Sequence, residues 1–149
     1  MRACVQRVAE ACVTVEGEVC GQIAQGLLVL LGVGERDTDA DLRWMVQKIL
    51  HLRIFPDDDD LMNRSVLQSG GQLLVVSQFT LYGNCQKGRR PSFVEAATPE
   101  KAEAYYEQFL ALTAAEGASV ASGQFRANMD VALVNTGPVT IWIDSQSDR

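Results

Sequence analysis

Residues 131–143 read Val131-Ala132-Leu133-Val134-Asn135-Thr136-Gly137-Pro138-Val139-Thr140-Ile141-Trp142-Ile143, two apolar runs rich in β-branched residues around a polar break. The pattern predicts strand, sharp interruption, strand. Proline has no N–H to give to a ladder, so the sheet must stop or swerve at Pro138. Gly137 reaches backbone angles closed to other residues, and the X-Pro bond after it tolerates the cis form at modest cost. Such a tip presents bare carbonyls and amides. On these residues alone the plainer reading is an ordinary hairpin loop.

The rest of the chain supplies partners for this segment. Arg2 to Val8 alternates as a strand, with Arg7 on its more apolar row, either snorkelling to water or held as a donor. Cys12–Val15 and Val19–Ile23 flank Glu16-Gly17-Glu18, a hairpin signal. The unbroken apolar run Gly26–Gly34 suits a strand buried on both faces, and its glycines do not form a G-x-G-x-x-G loop. Thr38-Asp39-Ala40-Asp41 reads as a helix start, followed by Leu42, Met45, Val46, Ile49 and Leu50 at helical spacing. His51 to Phe55 alternates as a further strand. Gln72–Thr80 is predicted as a central strand that turns polar at its C-terminal end, where ligands tend to meet sheets. Thr98-Pro99 opens a second main helix, with Ala102, Tyr105, Tyr106, Phe109, Leu110 and Thr113 on its apolar face. Ser119–Phe125 and Met129–Val134 complete the strands. These elements predict one α/β domain over residues 1–149 with two main helices.

Composition narrows the function classes. The 149 residues are 47% apolar and 21% charged, ordinary for a globular protein, with no apolar run long enough to span a membrane. The opening residues lack the apolar core of a signal peptide, so a cytoplasmic protein is expected. Cys4, Cys12, Cys20 and Cys85 show no C-x-x-C spacing and read as reduced thiols. With one histidine, His51, the chain offers no zinc ligand set, and no metal or cofactor is expected. Asp57–Asp60 lacks the ligand spacing of a calcium loop and reads as a solvated turn. The net charge of −6 argues mildly against a nucleic-acid partner, but Lys87-Gly88-Arg89-Arg90 is a dense basic patch. That patch is either a solvated loop or a phosphate contact.

The polar residues at the end of the central strand are Ser77, Gln78 and Thr80. A hydroxyl nucleophile needs a base within hydrogen-bond reach, and nothing in the pattern brings His51 there. The chain therefore has the means to act on an activated bond and little for a stable amide or phosphodiester.

Ser77-Gln78-Phe79-Thr80-Leu81 together with Asn135-Thr136-Gly137-Pro138-Val139-Thr140 resembles the paired signature of the D-aminoacyl-tRNA deacylase family. Met1-Arg2 through Gln6-Arg7-Val8, Leu52-Arg53-Ile54-Phe55, Met62-Asn63-Arg64-Ser65 and Lys87-Gly88-Arg89-Arg90-Pro91-Ser92-Phe93 fit the same family in the same order, so the resemblance spans essentially the whole chain. One departure is Asp60-Leu61, where the family pattern has a glycine–lysine turn. It removes a basic residue from the Asp57–Leu61 loop.

The resemblance implies an α/β fold with a mostly antiparallel or mixed, barrel-like sheet and a homodimer whose active site forms at the interface. It implies hydrolysis of the ester joining a D-amino acid, or mischarged glycine, to the 3′-terminal adenosine of tRNA, without a cofactor. Thr80, Gln78 and Phe79 are implied as catalytic residues. Ser77, Gly137, Pro138 and Arg7 are implied in substrate binding and chiral selection, with a cis Gly137-Pro138 bond reaching into the partner's site and Arg7 holding that tip. Two other readings fit the residues: a nucleic-acid-binding protein without catalysis, and a related deacylase for L-alanine on a wrong tRNA.

Overall fold

A computed structural model describes residues 1–149. Eight strands and four helices follow one another as β1 (Arg2–Val15), β2 (Glu18–Ile23), β3 (Gly26–Gly32), α1 (Asp39–His51), β4 (Phe55–Pro56), β5 (Met62–Arg64), α2 (Val66–Ser69), β6 (Gln72–Ser77), α3 (Pro99–Ala115), β7 (Ser119–Ser122), β8 (Asp130–Asp144) and α4 (Ser145–Asp148). The main sheet runs β2-β1-β3-β6-β7 with β8 also on β1, while β4 and β5 form a separate pair. It is mixed: β1 meets β2, β3 and β8 antiparallel, whereas β3–β6 and β6–β7 are parallel. No helix is long and apolar enough to cross a membrane.

β1 is the hub. Its first half pairs with β3 and its second half with β2, while β8 follows the opposite edge along nearly its full length. The tight β1–β2 turn has Glu16 at φ 51° and Gly17 at φ 84°, the two positive angles a two-residue hairpin needs. Burial along β1 changes phase midway: Ala3 and Val5 are buried, then Val8, then Ala11 and Val13. Ala3 and Val5 belong to the larger core with α1, α3, Leu73 and Val75. Val8, Ala11 and Val13 belong to a second core with Ile23, Leu28, Leu74 and Val76, on the opposite face of the sheet. Bending β1 between these cores curls the sheet over itself and makes it nearly barrel-shaped.

Helix α1 begins at Thr38 as expected, with Asp41 reaching back to accept from the Thr38 N–H at 2.9 Å and its hydroxyl at 2.7 Å. Its periodic apolar row is fully buried. α3 starts with Pro99 after Thr98 and buries Tyr106, Phe109 and Thr113. The four cysteines are free thiols.

Several boundaries differ from the sequence expectation. His51 is the exposed last residue of α1 rather than the start of a strand, and β4 begins only at Phe55. The alternation of 51–55 is too short to outcompete a helix whose inner row continues to Leu50. β6 ends at Ser77: the Gln78 N–H makes the last rung to the Leu31 carbonyl at 2.7 Å, its partner β3 ends at Gly32, and the chain then coils into a 3-10 turn over Phe79–Tyr82. β7 likewise stops at Ser122 instead of running to Phe125. β8 is one strand and is not split at Asn135–Pro138; its register slips there instead. Gln6 faces Thr140 and Val8 faces Asn135, so residues 136–139 stand opposite Arg7 alone. The swerve demanded by proline is absorbed as a wide bulge.

Candidate active site

A cleft of about 610 Å³ opens at the polar end of β6. Ser77, Gln78 and Phe79 form one wall, Phe93 and Ala96 flank it, and Tyr106, Phe125 and Met129 line it from α3 and the segment before β8. Its size lies in the roughly 300–1,000 Å³ range of small-molecule sites. The Tyr106 hydroxyl donates to the Val75 carbonyl at 2.8 Å, tying the cleft lining to β6. Burial pushes the Tyr106 phenol up to about 12, so it is a neutral donor at physiological pH. Phe79 is 57% exposed and meets Phe93 edge-on, ring centroids 5.1 Å apart. An apolar lining with two aromatics meeting edge to face and few polar groups suits a flat, partly apolar ligand.

The Phe79–Tyr82 turn is held from behind. The Tyr82 hydroxyl donates to Asp37 at 3.2 Å, and the Arg2 guanidinium lies 4.3 Å over the Tyr82 ring while donating to the Leu81 carbonyl at 3.2 Å. Asp37 is buried and also accepts from the Gly34 N–H at 2.6 Å and the Met1 ammonium at 2.5 Å. Burial first, then the Asp37 charge, drive the Tyr82 phenol far above its usual value. With its back fixed in this way, the turn presents its first amides, those of Phe79 and Thr80, which precede the first internal bond from Leu81 N–H to Gln78 O.

Thr80 is exposed, and its hydroxyl accepts from the Gln78 amide at 2.5 Å. That amide is a donor and cannot take a proton, so it offers no base to the hydroxyl. His51 sits at the end of α1 and does not line the cleft. No group of three or more His, Cys, Asp or Glu is placed to hold a metal ion.

Gly137 and Pro138 do not line this cleft; they form a second feature on β8. The bond between them is cis. Asn135 closes the bulge, accepting from the Val139 N–H at 2.8 Å and donating to the Val139 carbonyl at 3.2 Å and the Thr140 hydroxyl at 3.1 Å. Gly137 has φ 122°, and a Cβ there would stand 2.8 Å from Val139 Cγ2 and 2.9 Å from Arg7 Nη2. Only glycine fits. Arg7 binds the carbonyls of Thr136 and Ile54; its partners are not Gly137 and Pro138 themselves but the residue just before them and the chain entering β4.

The structure therefore places Ser77, Gln78 and Phe79 on the cleft wall, with Thr80 next to them in the 3-10 turn but not lining it, and Arg7, Gly137 and Pro138 together at the tip, and keeps the two groups apart within one chain. Sequence reasoning missed Phe125 and Met129 as cleft residues, because they lie in irregular chain with no periodic signal. It took Tyr106 as core, which is half of its role. Asn135 was legible only as part of a motif.

The Asp57–Leu61 turn is self-contained, with Asp57 accepting from Asp59 N, Leu61 N and Asn63 Nδ2. It contributes nothing to either feature.

A family model described as D-Tyr-tRNA(Tyr) deacylase matches residues 4–144. A D-aminoacyl-tRNA deacylase of Desulfitobacterium hafniense is 58% identical over 148 residues, covering 99% of each chain. One of Thermotoga petrophila is 56% identical over 145 residues, covering 97% of each. Among solved structures, the c-Myc DNA Unwinding Element Binding Protein superposes with TM-score 0.93 at 41% identity, covering 97% of this chain and 98% of its own. A probable eukaryotic D-amino acid tRNA deacylase shares the fold at TM-score 0.79 and 21% identity, covering 95% and 97%.

Proposed function

The chain belongs to the D-Tyr-tRNA(Tyr) deacylase family, and from that premise we propose that it hydrolyses the ester between a D-amino acid and the terminal adenosine of tRNA. Mischarged glycine, which also lacks an L side chain, is a further substrate. Residues 1–149 act as one domain, in the cytoplasm, where tRNA is charged.

The observation that carries this reading is the cleft at the end of β6, an aromatic-lined site beside the start of the Phe79–Tyr82 turn, with no acid–base dyad. The terminal adenine suits the apolar lining, where base–aromatic stacking contributes about 1–3 kcal/mol. Ser77 and Gln78 orient the ribose and the ester. The developing oxyanion meets the N–H groups of Phe79 and Thr80. An aminoacyl ester is activated and carries a ribose 2′-OH next to it, so water assisted by that hydroxyl completes the attack without a protein base.

An enzyme that accepts every D-amino acid cannot use a side-chain pocket and has to read the α-carbon. A rigid Gly137-Pro138 tip does this by holding the α-amino group on carbonyl oxygens and blocking the direction of an L side chain. In one chain the tip lies outside the cleft, so the tip of a second copy completes the site. β8 offers the surface for that copy: its outer edge has no strand partner, and Val134 and Trp142 on it are 50% and 51% exposed.

The test is deacylation of D-tyrosyl-, glycyl- and L-tyrosyl-tRNA side by side. The D-ester and the glycyl ester are released and the L-ester survives; rapid release of the L-ester at the same enzyme concentration overturns the reading. A second reading, nucleic-acid binding without turnover, draws on the 41% identical structure described as a DNA-unwinding-element binding protein. Tight binding of DNA or uncharged tRNA with every ester intact would establish it instead.

A further inference from the structure

Between Asp60 and Glu95 the chain carries no Asp or Glu, although its net charge is −6. Lys87, Arg89 and Arg90 fall in that acid-free stretch, and all three are exposed. None of them enters an ion pair: the pairs of this protein engage the N-terminus, Arg2, Arg64 and Arg149. Ten of the thirteen Lys and Arg of this chain enter no ion pair, so what sets these three apart is that they stand together in a stretch without a carboxylate.

Their segment is built rather than loose. Asn84 and Ser92 bond each other in both directions, at 2.8 and 3.0 Å, and close residues 84–92 into a hairpin. The Asn84 side chain accepts from the Gln86 N–H at 2.9 Å, and Gly88 turns the tip at φ 72°. The base of this hairpin is the cleft rim. Gly83 packs against Phe93 and Pro91, and Phe93 in turn meets Phe79. Arg126, also exposed and without an ion pair, lines the same cleft.

We propose that the Lys87–Arg90 hairpin is the surface that takes the phosphates of the RNA next to the nucleoside held in the cleft, with Arg126 as a further phosphate contact. This rests on the deacylase reading of the cleft and adds how the rest of the tRNA is held. Arginine matches phosphate bidentately, and an exposed cation with no carboxylate beside it is free to do so. The overall negative charge repels RNA from the other faces, so this one patch also sets the orientation of approach. Each phosphate neutralised adds about −0.7 to −0.9 to the slope of log affinity against log salt.

The experiment compares wild type with the triple variant Lys87→Gln/Arg89→Gln/Arg90→Gln, which keeps Gly88 and the Asn84–Ser92 closure. Two substrates are used: D-tyrosyl-tRNA and the same D-tyrosyl ester on adenosine, which has no phosphate. KM for the tRNA rises about tenfold or more at physiological salt with kcat little changed, while turnover of the adenosine ester is the same in both proteins. In parallel, the affinity for uncharged tRNA is measured across salt, and its slope falls by about two to three in the variant. An unchanged KM for tRNA and an unchanged salt slope overturn the proposal. So does an equal loss on both esters, which makes the hairpin a support of the cleft. If wild type cleaves neither ester the deacylase reading fails, and the salt slope of tRNA binding still decides the surface.

Discussion

Arg7 lies beneath Gly137. Its Nε donates to the Thr136 carbonyl at 3.2 Å, its Nη1 to the Ile54 carbonyl at 2.6 Å, and its Nη2 occupies the space a Gly137 side chain would need. One guanidinium thus fixes the bulge of β8 to the chain entering β4. A hydrogen bond from a charged donor contributes about 1.5–3 kcal/mol. Arg7→Ala is therefore expected to keep the fold and lower the D-over-L rate ratio by about one to two orders of magnitude. Parallel deacylation of D- and L-tyrosyl-tRNA measures it. Unchanged discrimination in a folded variant would reduce Arg7 to a strand residue.

Thr80 has a hydroxyl bonded only to the Gln78 amide. As a covalent nucleophile it would lack a base, whereas its backbone N–H survives truncation. Thr80→Ala should lose no more than about tenfold in rate, the worth of a neutral hydrogen bond. A substrate ending in 2′-deoxyribose, with the amino acid on the 3′ oxygen, should lose about a hundredfold or more, as when a proton-transfer group is removed. Trapping of an acyl-Thr80 species, or full activity on the deoxy substrate, would reverse the assignment.

The separation of tip and cleft within one chain makes assembly a condition of activity. Sedimentation should show a dimer at working concentrations. Val134→Asp/Trp142→Asp, on the exposed side chains of β8, should give a folded monomer without deacylase activity, since burying each wild-type side chain contributes about 1.5–3 kcal/mol. A fully active monomer would defeat the two-copy site.

Asp41 sets an acid limit. Burial by itself would raise its carboxyl, but hydrogen bonds from the Thr38 side chain and backbone and from Ser145 leave it below the usual carboxylate value. A carboxyl depressed in the folded state contributes stability that is fully present above its unfolded value, about 3.9, and is lost as pH falls through the folded one. Thermal melts from pH 7 to pH 3 should show the wild type losing stability below about pH 4. Asp41→Asn should start lower at pH 7 and fall less. Parallel curves for the two proteins would remove Asp41 from the acid response.

Much of the fold was legible because its signals are local. Thr38 and Thr98-Pro99 mark helix starts by the hydrogen-bonding habits of a few adjacent residues. Leu42–Leu50 declares its burial by helical period, and Leu73–Val76 by an unbroken apolar run. Ser77–Thr80 stood out as polarity at the end of an apolar strand, and that is where the cleft lies. The end of β6 was misjudged because it is set by where its partner strand β3 stops, at Gly32, far away in the sequence.

Residue types and spacing by themselves determined the two helices, the buried strands, the polar strand end and a backbone tip at Gly137-Pro138. Only the tertiary structure decided that Arg7 bonds Thr136 and Ile54, that Phe125 and Met129 line the cleft beside Ser77–Phe79, and that the tip stands clear of it. Periodicity and capping depend on neighbours a few residues apart. The Arg7–Thr136 bond joins positions 129 residues apart, and such a pairing exists only once strand register and sheet curvature have been chosen by the packing of the whole chain.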